Sequence, residues 1–431
     1  MNRTRIPKSS PPEVAHADDG MIRQTRRYKV ITPLFGGGVE TQKADPVTVV
    51  RATEVRGHLR FWWRATRGGQ FNGTLADMKK AEEAIWGSAA AQGKAGHSPI
   101  LISLSNIQEG SLLQGVEIKT RDGTRKVDIG HPASPYSYVA FPLRAEDGKP
   151  AGSLRENVSF TLDLLYPAEI DDPISGQRID LKSEVEAALW AWETFGGIGA
   201  RTRRGFGALQ CETDQAPKKR ELENWLRSQL KTHVVLGSWP SDVPYLYHGL
   251  DFKLVPPDGK QTVDEAWRYL IDRLRQFRQA RYPDRHGRPY GRSKWPEADE
   301  VRRQTGDHSP GHAPVYPVTG KTPRGRFGLP IIVQFKREDV RSGDPQPATL
   351  EGASHDRYAS RLILRPIVCS DSRAFGLACV LQGPPDPPGG YVLNTSAGVA
   401  PVRADLTPHE TKHIDPLNGN GNVLQAFLNY L

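Results

Sequence analysis

A chain of 431 residues is longer than a single hydrophobic core usually supports, so its length predicts two domains. Lysine and arginine outnumber aspartate and glutamate by 58 to 49, and the resulting formal charge of +9 indicates a polyanionic partner. The three cysteines show neither metal-ligand spacing nor a disulfide framework, which favours a cytoplasmic protein, and no apolar run approaches the roughly 20 residues of a membrane span.

The first half of the chain alternates between strand and helix patterns after a polar stretch, 1–22, that we interpret as a flexible arm. In chain order the patterns predict a strand at 23–32, helices at 54–67 and 76–87, strands at 98–107, 137–143 and 158–166, and a helix at 183–195 that leads into a glycine-rich loop and a short strand. The order strand, helix, strand, strand, helix, strand is typical of ferredoxin-like or RRM-like domains, which commonly bind single-stranded RNA.

The helix predicted at 54–67 has an apolar face and a cationic face. No acidic residue after Glu54 interrupts the cationic stripe, so we favour RNA binding over a solvated surface of a core helix. Trp63 lies at the edge of the stripe, where it stacks on a base or covers arginine stems. The residues of this region that we predict to bind RNA are Arg51, Arg56, His58, Arg60, Trp63, Arg64 and Arg67.

The loop FGGIGARTRRGFGAL, residues 195–209, is the strongest candidate site. Its glycines permit positive φ angles and a close approach to a ligand, and its arginines are expected to be exposed. Glycine also suits the end of a helix, which is the alternative for Gly196 and Gly197, but a structural turn has no use for three arginines. The predicted RNA-binding residues of the loop are Arg201, Arg203, Arg204 and Phe206, and its glycines are Gly196, Gly197, Gly199, Gly205 and Gly207.

The second half repeats the ferredoxin-like plan with insertions. The predicted fold class is therefore α+β with tandem ferredoxin-like domains, divided into an arm at 1–22, a first domain at 23–215, a connection at 216–246 and a second domain at 247–431. The second domain has strands at 247–255, 328–336, 361–369 and 374–383, helices at 263–277 and 422–431, and a long basic insertion, expected to be mobile, at 281–326.

Several of these segments together resemble the RAMP proteins of CRISPR systems, and more narrowly the first RAMP subunit of the type III-B, or Cmr, effector complex. The combination of a basic, Trp-containing helix with GGIGxRTRRGFG in this order is what makes the resemblance specific. The segments that carry it are ITPLFGGG (31–38), RATEVRGHLRFWWRA (51–65), FGGIGARTRRGFGAL (195–209), GRFGLP (325–330) and RYASRLILRPI (357–367).

The resemblance implies a double ferredoxin-like subunit near the 3′ end of a guide RNA, which helps to hold target RNA while other subunits carry the catalytic chemistry. It implies guide RNA, target RNA and other Cmr subunits as partners, with no cofactor, no metal, no membrane and no small-molecule substrate. The residues that it implies as phosphate contacts are Arg56, Arg60, Arg64, Arg201, Arg203 and Arg204. Replacing the three loop arginines together is expected to weaken RNA binding without unfolding the chain.

Two alternatives to this function stay open. Some RAMP proteins resemble metal-independent ribonucleases that process CRISPR precursor RNA with a histidine or tyrosine as acid or base. His58 and His248 are candidates for that role, but each stands alone in the sequence. The other alternative is a basic protein that binds RNA in general. The histidines of the basic insertion lack metal-ligand spacing, and no phosphate-binding or nucleophile motif is present.

Overall fold

The computed structural model describes residues 20–36, 45, 48–88, 96–146, 148, 150–284, 286–288, 291–335 and 343–431. Most of the predicted arm and the last two residues of ITPLFGGG lie outside these ranges. Within them the fold is α+β, with several small antiparallel sheets, as the sequence predicted at that level.

Strands and helices follow one another in both halves of the chain. In chain order the strands are β1 (Met21–Val30), β2 (Leu101–Gln108), β3 (Ser111–Leu112), β4 (Val116–Thr120), β5 (Gly123–Val127), β6 (Arg155–Glu156), β7 (Ser159–Pro167), β8 (Glu169–Asp171), β9 (Arg178–Asp180), β10 (Leu209–Cys211), β11 (Phe252–Lys260), β12 (Ile331–Val333), β13 (Ala348–Gly352), β14 (Leu362–Val368), β15 (Ala374–Val380), β16 (Tyr391–Thr395) and β17 (Gly398–Val402). The helices are α1 (Ala52–Arg67), α2 (Leu75–Trp86), α3 (Ser137–Ala140), α4 (Leu181–Phe195), α5 (Leu222–His233), α6 (Val263–Arg278), α7 (Glu297–Thr305), α8 (Pro408–Thr411) and α9 (Val423–Tyr430).

A four-stranded antiparallel sheet with the order β10-β1-β7-β2 organises the first half. Tyr28 of β1 pairs with Phe160 of β7, and both side chains are buried, as the alternation of each strand requires. Helices α1 and α4 pack against each other and share this core, where Trp62 of α1 meets Phe195 of α4. Strands β1, β2, β7 and β10 and helices α1, α2 and α4 occur where the sequence predicts strands and helices.

One predicted strand of the first half is wrong. Residues 137–143 form α3 and a following 3₁₀ turn, Phe141–Leu143, instead of a strand. The segment is a short apolar run, and periodicity alone does not distinguish a strand from a helix over such a length. Val139, Ala140 and Leu143 are buried, whereas Phe141 points outward with 56% of its surface exposed.

The second half is built on two sheets. Strands β11, β15 and β14 form one antiparallel sheet, which packs against α6 and α9, and β12, β13, β16 and β17 form the other in that order. Helix α6 begins with a capping box in which Thr262 and Glu265 satisfy each other's backbone amides. The description of both halves as ferredoxin-like domains stays an interpretation.

The basic insertion predicted at 281–326 is not a structureless loop over its described residues. Trp295 and the acidic side chains of α7 are buried, and the acids pair with arginines of the same segment. Asp299 bonds to Arg292 at 2.8 Å and to Arg302 at 3.0 Å. The basic composition of the segment thus reflects internal ion pairs, which hold a chain that has few apolar residues.

The two halves share one continuous core, which runs from β1 and α4 to β14 and β15. Arg365 of β14 is fully buried at their junction. Its guanidinium donates to the carbonyl oxygens of Glu193 at 2.6 Å, Gly196 at 2.9 Å and Leu209 at 2.6 Å, on both sides of the glycine-rich loop. A residue of the second half therefore fixes both ends of this loop.

Candidate nucleic-acid interface

The glycine-rich loop starts where α4 ends and is held by backbone hydrogen bonds to the first half. The amide of Ile198 donates to the carbonyl of Gly207, and that of Ala200 to the carbonyl of Phe35. Gly207 has a φ of +58°, and a Cβ there would lie 1.9 Å from the carbonyl oxygen of Ile198. Glycine is required because the loop closes on itself. The close approach that the glycines permit is thus to the protein's own backbone.

The sequence predicts that the loop arginines are exposed, but in the structure they are partly buried. Arg203 donates to the carbonyl of Ser360 at 2.5 Å, and Arg204 donates to those of Leu362 at 2.9 Å and Phe327 at 2.7 Å. These arginines are partly buried because the second half of the chain folds over the loop and supplies carbonyl oxygens as acceptors. These contacts join the loop to GRFGLP and RYASRLILRPI, so segments that resemble RAMP proteins in both halves meet at one place.

Arg201 differs from its two neighbours. Among the described residues its guanidinium has no hydrogen-bond acceptor and no carboxylate partner, and its Nε atom is buried. It lies over the ring of Phe141, 5.3 Å from the centroid. Its backbone has a φ of +58°, a left-handed conformation that costs a non-glycine residue energy and is common at functional sites.

Arg278, at the end of α6, brings a further positive charge to the same place. Its guanidinium lies 5.5 Å from the ring centroid of Tyr138 and 5.2 Å from that of Phe327, and its Nε is also buried without a partner in the described structure. We call Arg201, Arg204 and Arg278, together with Tyr138 and Phe141, the cationic cluster. Sequence analysis missed its last three members, because α3 was taken for a strand and Arg278 for the end of an ordinary amphipathic helix.

The arginines of the cationic cluster repel one another. Burial, followed by the charge of Arg278, lowers the pKa of Arg201 to about 10. Burial and the charges of Arg278, Arg201 and Arg203 lower the pKa of Arg204 to about 9. Arginine side chains stay protonated at neutral pH, and none of the three forms an ion pair with a described carboxylate. An anion bound here would supply the missing counter-charge.

The arginines of α1 have a different environment. Arg60 and Arg64 both bind the buried carboxylate of Glu82, and Arg67 binds that of Glu184 at 2.6 Å. Arg56 donates to the carbonyls of Trp86 and Ile100. Arg51, just before the helix, pairs with Asp45. The acids that the sequence lacks within α1 are supplied by α2 and α4, so two carboxylates neutralise half of the charge of the predicted cationic stripe, and Arg56 binds carbonyl oxygens only.

The aromatic residues predicted to contact RNA are also placed differently. Trp63 is fully buried, and its Nε1 donates to Glu184 at 2.5 Å. Phe206 is fully buried against Trp267, with ring centroids 4.9 Å apart. Neither ring can stack on a base in this conformation, so these two expectations are wrong. His58 lies beside the ring of Trp192, 6.2 Å between centroids, and 3.9 Å from Glu54.

The other candidate groups do not form a catalytic or metal site among the described residues. The Nε2 atom of His248 donates to the carbonyl oxygen of Val234, 2.7 Å away. In the described ranges no three His, Cys, Asp or Glu side chains come together as a metal site. Likewise, no helix there has the length and apolar character needed to cross a bilayer.

Comparison with known families places this geometry in context. Residues 27–210 match the model of the RAMP superfamily, a range that contains α1, α4 and the whole glycine-rich loop. The match covers less than half of the chain, and over this range it confirms the resemblance to RAMP proteins noted in the sequence.

Two proteins of Pyrococcus furiosus are similar to the chain. CRISPR system Cmr subunit Cmr1-2 is 26% identical over 191 residues, which are 43% of this chain and 92% of that protein. CRISPR system Cmr subunit Cmr1-1 is 25% identical over 168 residues, which are 37% of this chain and 40% of that protein.

Solved structures that are similar to the chain include apo Cmr1 from Pyrococcus furiosus, with a TM-score of 0.44 and 15% identity over 84% of this chain and 88% of that one. A chain of the type III-B Cmr-beta complex bound to cognate target RNA has a TM-score of 0.46 and 12% identity over 95% of this chain and 99% of that one.

Proposed function

We propose that this chain is a non-catalytic RNA-binding subunit of a type III-B CRISPR effector complex, built from two ferredoxin-like domains and located near the 3′ end of the guide RNA. The observation that carries the RNA-binding role is the cationic cluster, in which Arg201, Arg204 and Arg278 form no ion pair with a carboxylate of the described residues. The nearby carboxylate of Glu297 is bound by Arg324. The similarity to two Cmr subunits supports the assignment to this complex.

The RNA contact that we propose is to the phosphate backbone. Arginines that lack counter-charges bind phosphates of any sequence, and each contact releases counterions from the nucleic acid. The sequence of the target would then be read by pairing with the guide, while the protein follows the backbone. The cationic cluster is a better candidate than the α1 arginines, because Arg60, Arg64 and Arg67 already bind the carboxylates of Glu82 and Glu184.

A salt titration tests the RNA-binding role. The full chain is titrated with a single-stranded RNA of about 40 nucleotides at several salt concentrations, and the RNA is then run on a denaturing gel with chelator present. We expect intact RNA and an affinity that falls steeply with salt. Discrete cuts that resist the chelator would instead indicate a processing ribonuclease.

The variants for this titration follow from the contacts. Replacing all three loop arginines is no longer a clean test, because Arg203 and Arg204 bind carbonyls of the second half and support the fold. Arg201→Asn removes one charge and keeps a residue that tolerates the left-handed backbone. Arg278→Gln has a matched control in Arg268→Gln, on the same helix, where the arginine forms an exposed pair with Asp264.

Assembly with partners separates the proposal from general RNA binding. The chain is co-expressed with the other type III-B subunits and a guide RNA, and the guide-containing complex is purified through another subunit. We expect the chain in this complex, in a fixed ratio to the guide. Equal binding to unrelated RNA without incorporation would indicate a general RNA-associated protein.

A further inference from the structure

Phe141 occupies an unusual position for a large apolar side chain. It follows α3 directly, and its neighbours Val139, Ala140 and Leu143 are buried, yet more than half of its own surface is exposed. One face of its ring is covered by the guanidinium of Arg201. The remaining exposed surface is therefore an aromatic platform with a positive charge behind it.

The partner of Phe141 is held in place by backbone geometry. Arg201 adopts a left-handed conformation, and its flanking amides and carbonyls are fixed by bonds such as that from the amide of Ala200 to the carbonyl of Phe35. Its Nε atom is buried and has no acceptor among the described residues. The loop thus keeps a guanidinium that has no acceptor in the described structure over one aromatic ring, on a left-handed backbone, although a packing role alone needs neither the charge nor the backbone strain.

A second arginine–aromatic pair lies beside the first. Tyr138 is three residues before Phe141, a spacing that places both rings on the same side of the α3 turn. The guanidinium of Arg278 lies over Tyr138, and its Nε also lacks an acceptor in the described structure. Two cations that repel each other are therefore held at neighbouring aromatic rings, an arrangement that suits alternating bases and phosphates.

We infer that Phe141, Arg201 and Arg278 form a subsite for an unpaired nucleotide of single-stranded RNA. The base stacks on the exposed part of the Phe141 ring, and the two arginines contact the flanking phosphates. This inference rests on the proposed RNA-binding function and deepens it. A stacked base explains the exposure of the ring, and the phosphates supply acceptors for the terminal nitrogens of both guanidiniums, since their Nε atoms are buried.

The test separates stacking from phosphate contacts. Affinities of the full chain for single-stranded RNA are measured across salt for Phe141→Ala and Arg201→Asn. Loss of a stacking residue changes affinity at every salt concentration, so we expect Phe141→Ala to bind about tenfold more weakly with an unchanged salt slope. Loss of one phosphate contact lowers the slope of log affinity against log salt by about 0.7.

Two further measurements make the test specific. Phe141→Trp keeps an aromatic ring and should bind single-stranded RNA as tightly as the wild-type chain. Leu236→Ala, which removes another strongly exposed apolar side chain, should also leave the RNA affinity unchanged. With 2-aminopurine placed along the RNA, binding to the wild-type chain should quench the fluorescence at one or a few positions, and Phe141→Ala should abolish that quenching.

The outcomes distinguish the inference from the proposed function. If the wild-type chain bound no RNA, both would be overturned. If the wild-type chain bound RNA and Phe141→Ala bound it equally well, only the nucleotide subsite would be overturned. Should Phe141→Ala keep its RNA affinity but fail to enter the guide-containing complex, the exposed ring is a docking point for a neighbouring subunit, and the subsite is again overturned.

Discussion

Two groups of arginines in this chain look alike in sequence and differ in the folded protein. Those of α1 bind carboxylates or carbonyls that come from α2, α4 and Ile100, the residue before β2. Those of the cationic cluster bind carbonyls only or have no acceptor among the described residues. The difference teaches that the number of arginines in a local motif does not tell whether their charges are neutralised in the folded protein, because the acids that pair with them come from elsewhere in the chain.

The largest change in stability is expected at Arg365, a buried arginine whose hydrogen bonds go to backbone carbonyls. Arg365→Ala leaves several buried carbonyls without a donor, and we expect it to lower the free energy of unfolding by about 3–5 kcal/mol. Urea denaturation measures the change. If the variant is too unstable to purify, Arg365→Lys, which keeps one donor group, should be intermediate; a wild-type stability for either variant would contradict the structural role.

A carboxylate that neutralises the α1 arginines gives the next largest effect. Glu82→Gln removes the counter-charge shared by Arg60 and Arg64, whose side chains are 29% and 31% exposed. We expect a loss of about 2 kcal/mol in stability, less than for a fully buried pair because solvent screens both arginines. Thermal denaturation measures this loss, and Glu83→Gln, which alters an exposed neighbour, should change stability little.

The same pair of variants also compares the two groups in RNA binding. If Glu82 keeps the α1 arginines from binding phosphates, Glu82→Gln should raise RNA affinity about twofold to threefold and steepen its salt dependence. An affinity that falls with Glu82→Gln would show that the pairing with Glu82 itself presents these arginines to RNA, and the contrast between the two groups would disappear.

Arg201 should show the opposite balance of stability and binding. Because burial and Arg278 lower its pKa, its charge is unfavourable in the free protein. We expect Arg201→Asn to leave the free energy of unfolding within about 0.5 kcal/mol of the wild-type value or to raise it, and to weaken RNA binding. Parallel denaturation and RNA titration measure the two effects. A large loss of stability would make Arg201 a structural residue like Arg365.

A last effect concerns pH and the cations around His233. Burial, and then the charges of Arg67 and Arg26, lower the pKa of His233 to about 4 from 6.5. The folded state thus binds fewer protons than the unfolded state between these values, so acidification through this window reduces stability. We expect wild type to lose about 1 kcal/mol more than His233→Gln between pH 7 and pH 5, measured by urea denaturation, since partial exposure weakens the effect.

Much of the fold follows from the sequence, because long amphipathic patterns decide it. The pattern of α6, with Trp267, Leu270 and Phe277 on one face, predicts the helix almost to the residue. Segment 137–143 was misassigned, because its length does not separate the two periodicities. The buried acids of α7 were missed for another reason, since a run of charges looks like a mobile surface until its internal ion pairs are known.

The candidate site was predicted in part. The glycine-rich loop was found because five glycines around three arginines are informative without any tertiary knowledge. The exposure of its side chains was not predictable, because the acceptors of Arg203 and Arg204 lie more than a hundred residues away in sequence. Arg278 and Phe141 carry no local signal and are recognised only when α3 and α6 bring them to the loop.

The position of Arg365 determines whether the loop can keep its conformation outside this chain. The match to the RAMP superfamily ends at residue 210, yet the conformation of the loop depends on donors and acceptors from residues 327 to 365. A fragment that ends after β10 would retain the whole family motif and lose the groups that shape it. The motif therefore does not keep its conformation on its own, and grafting it into another scaffold would require grafting strand β14 of the second half as well.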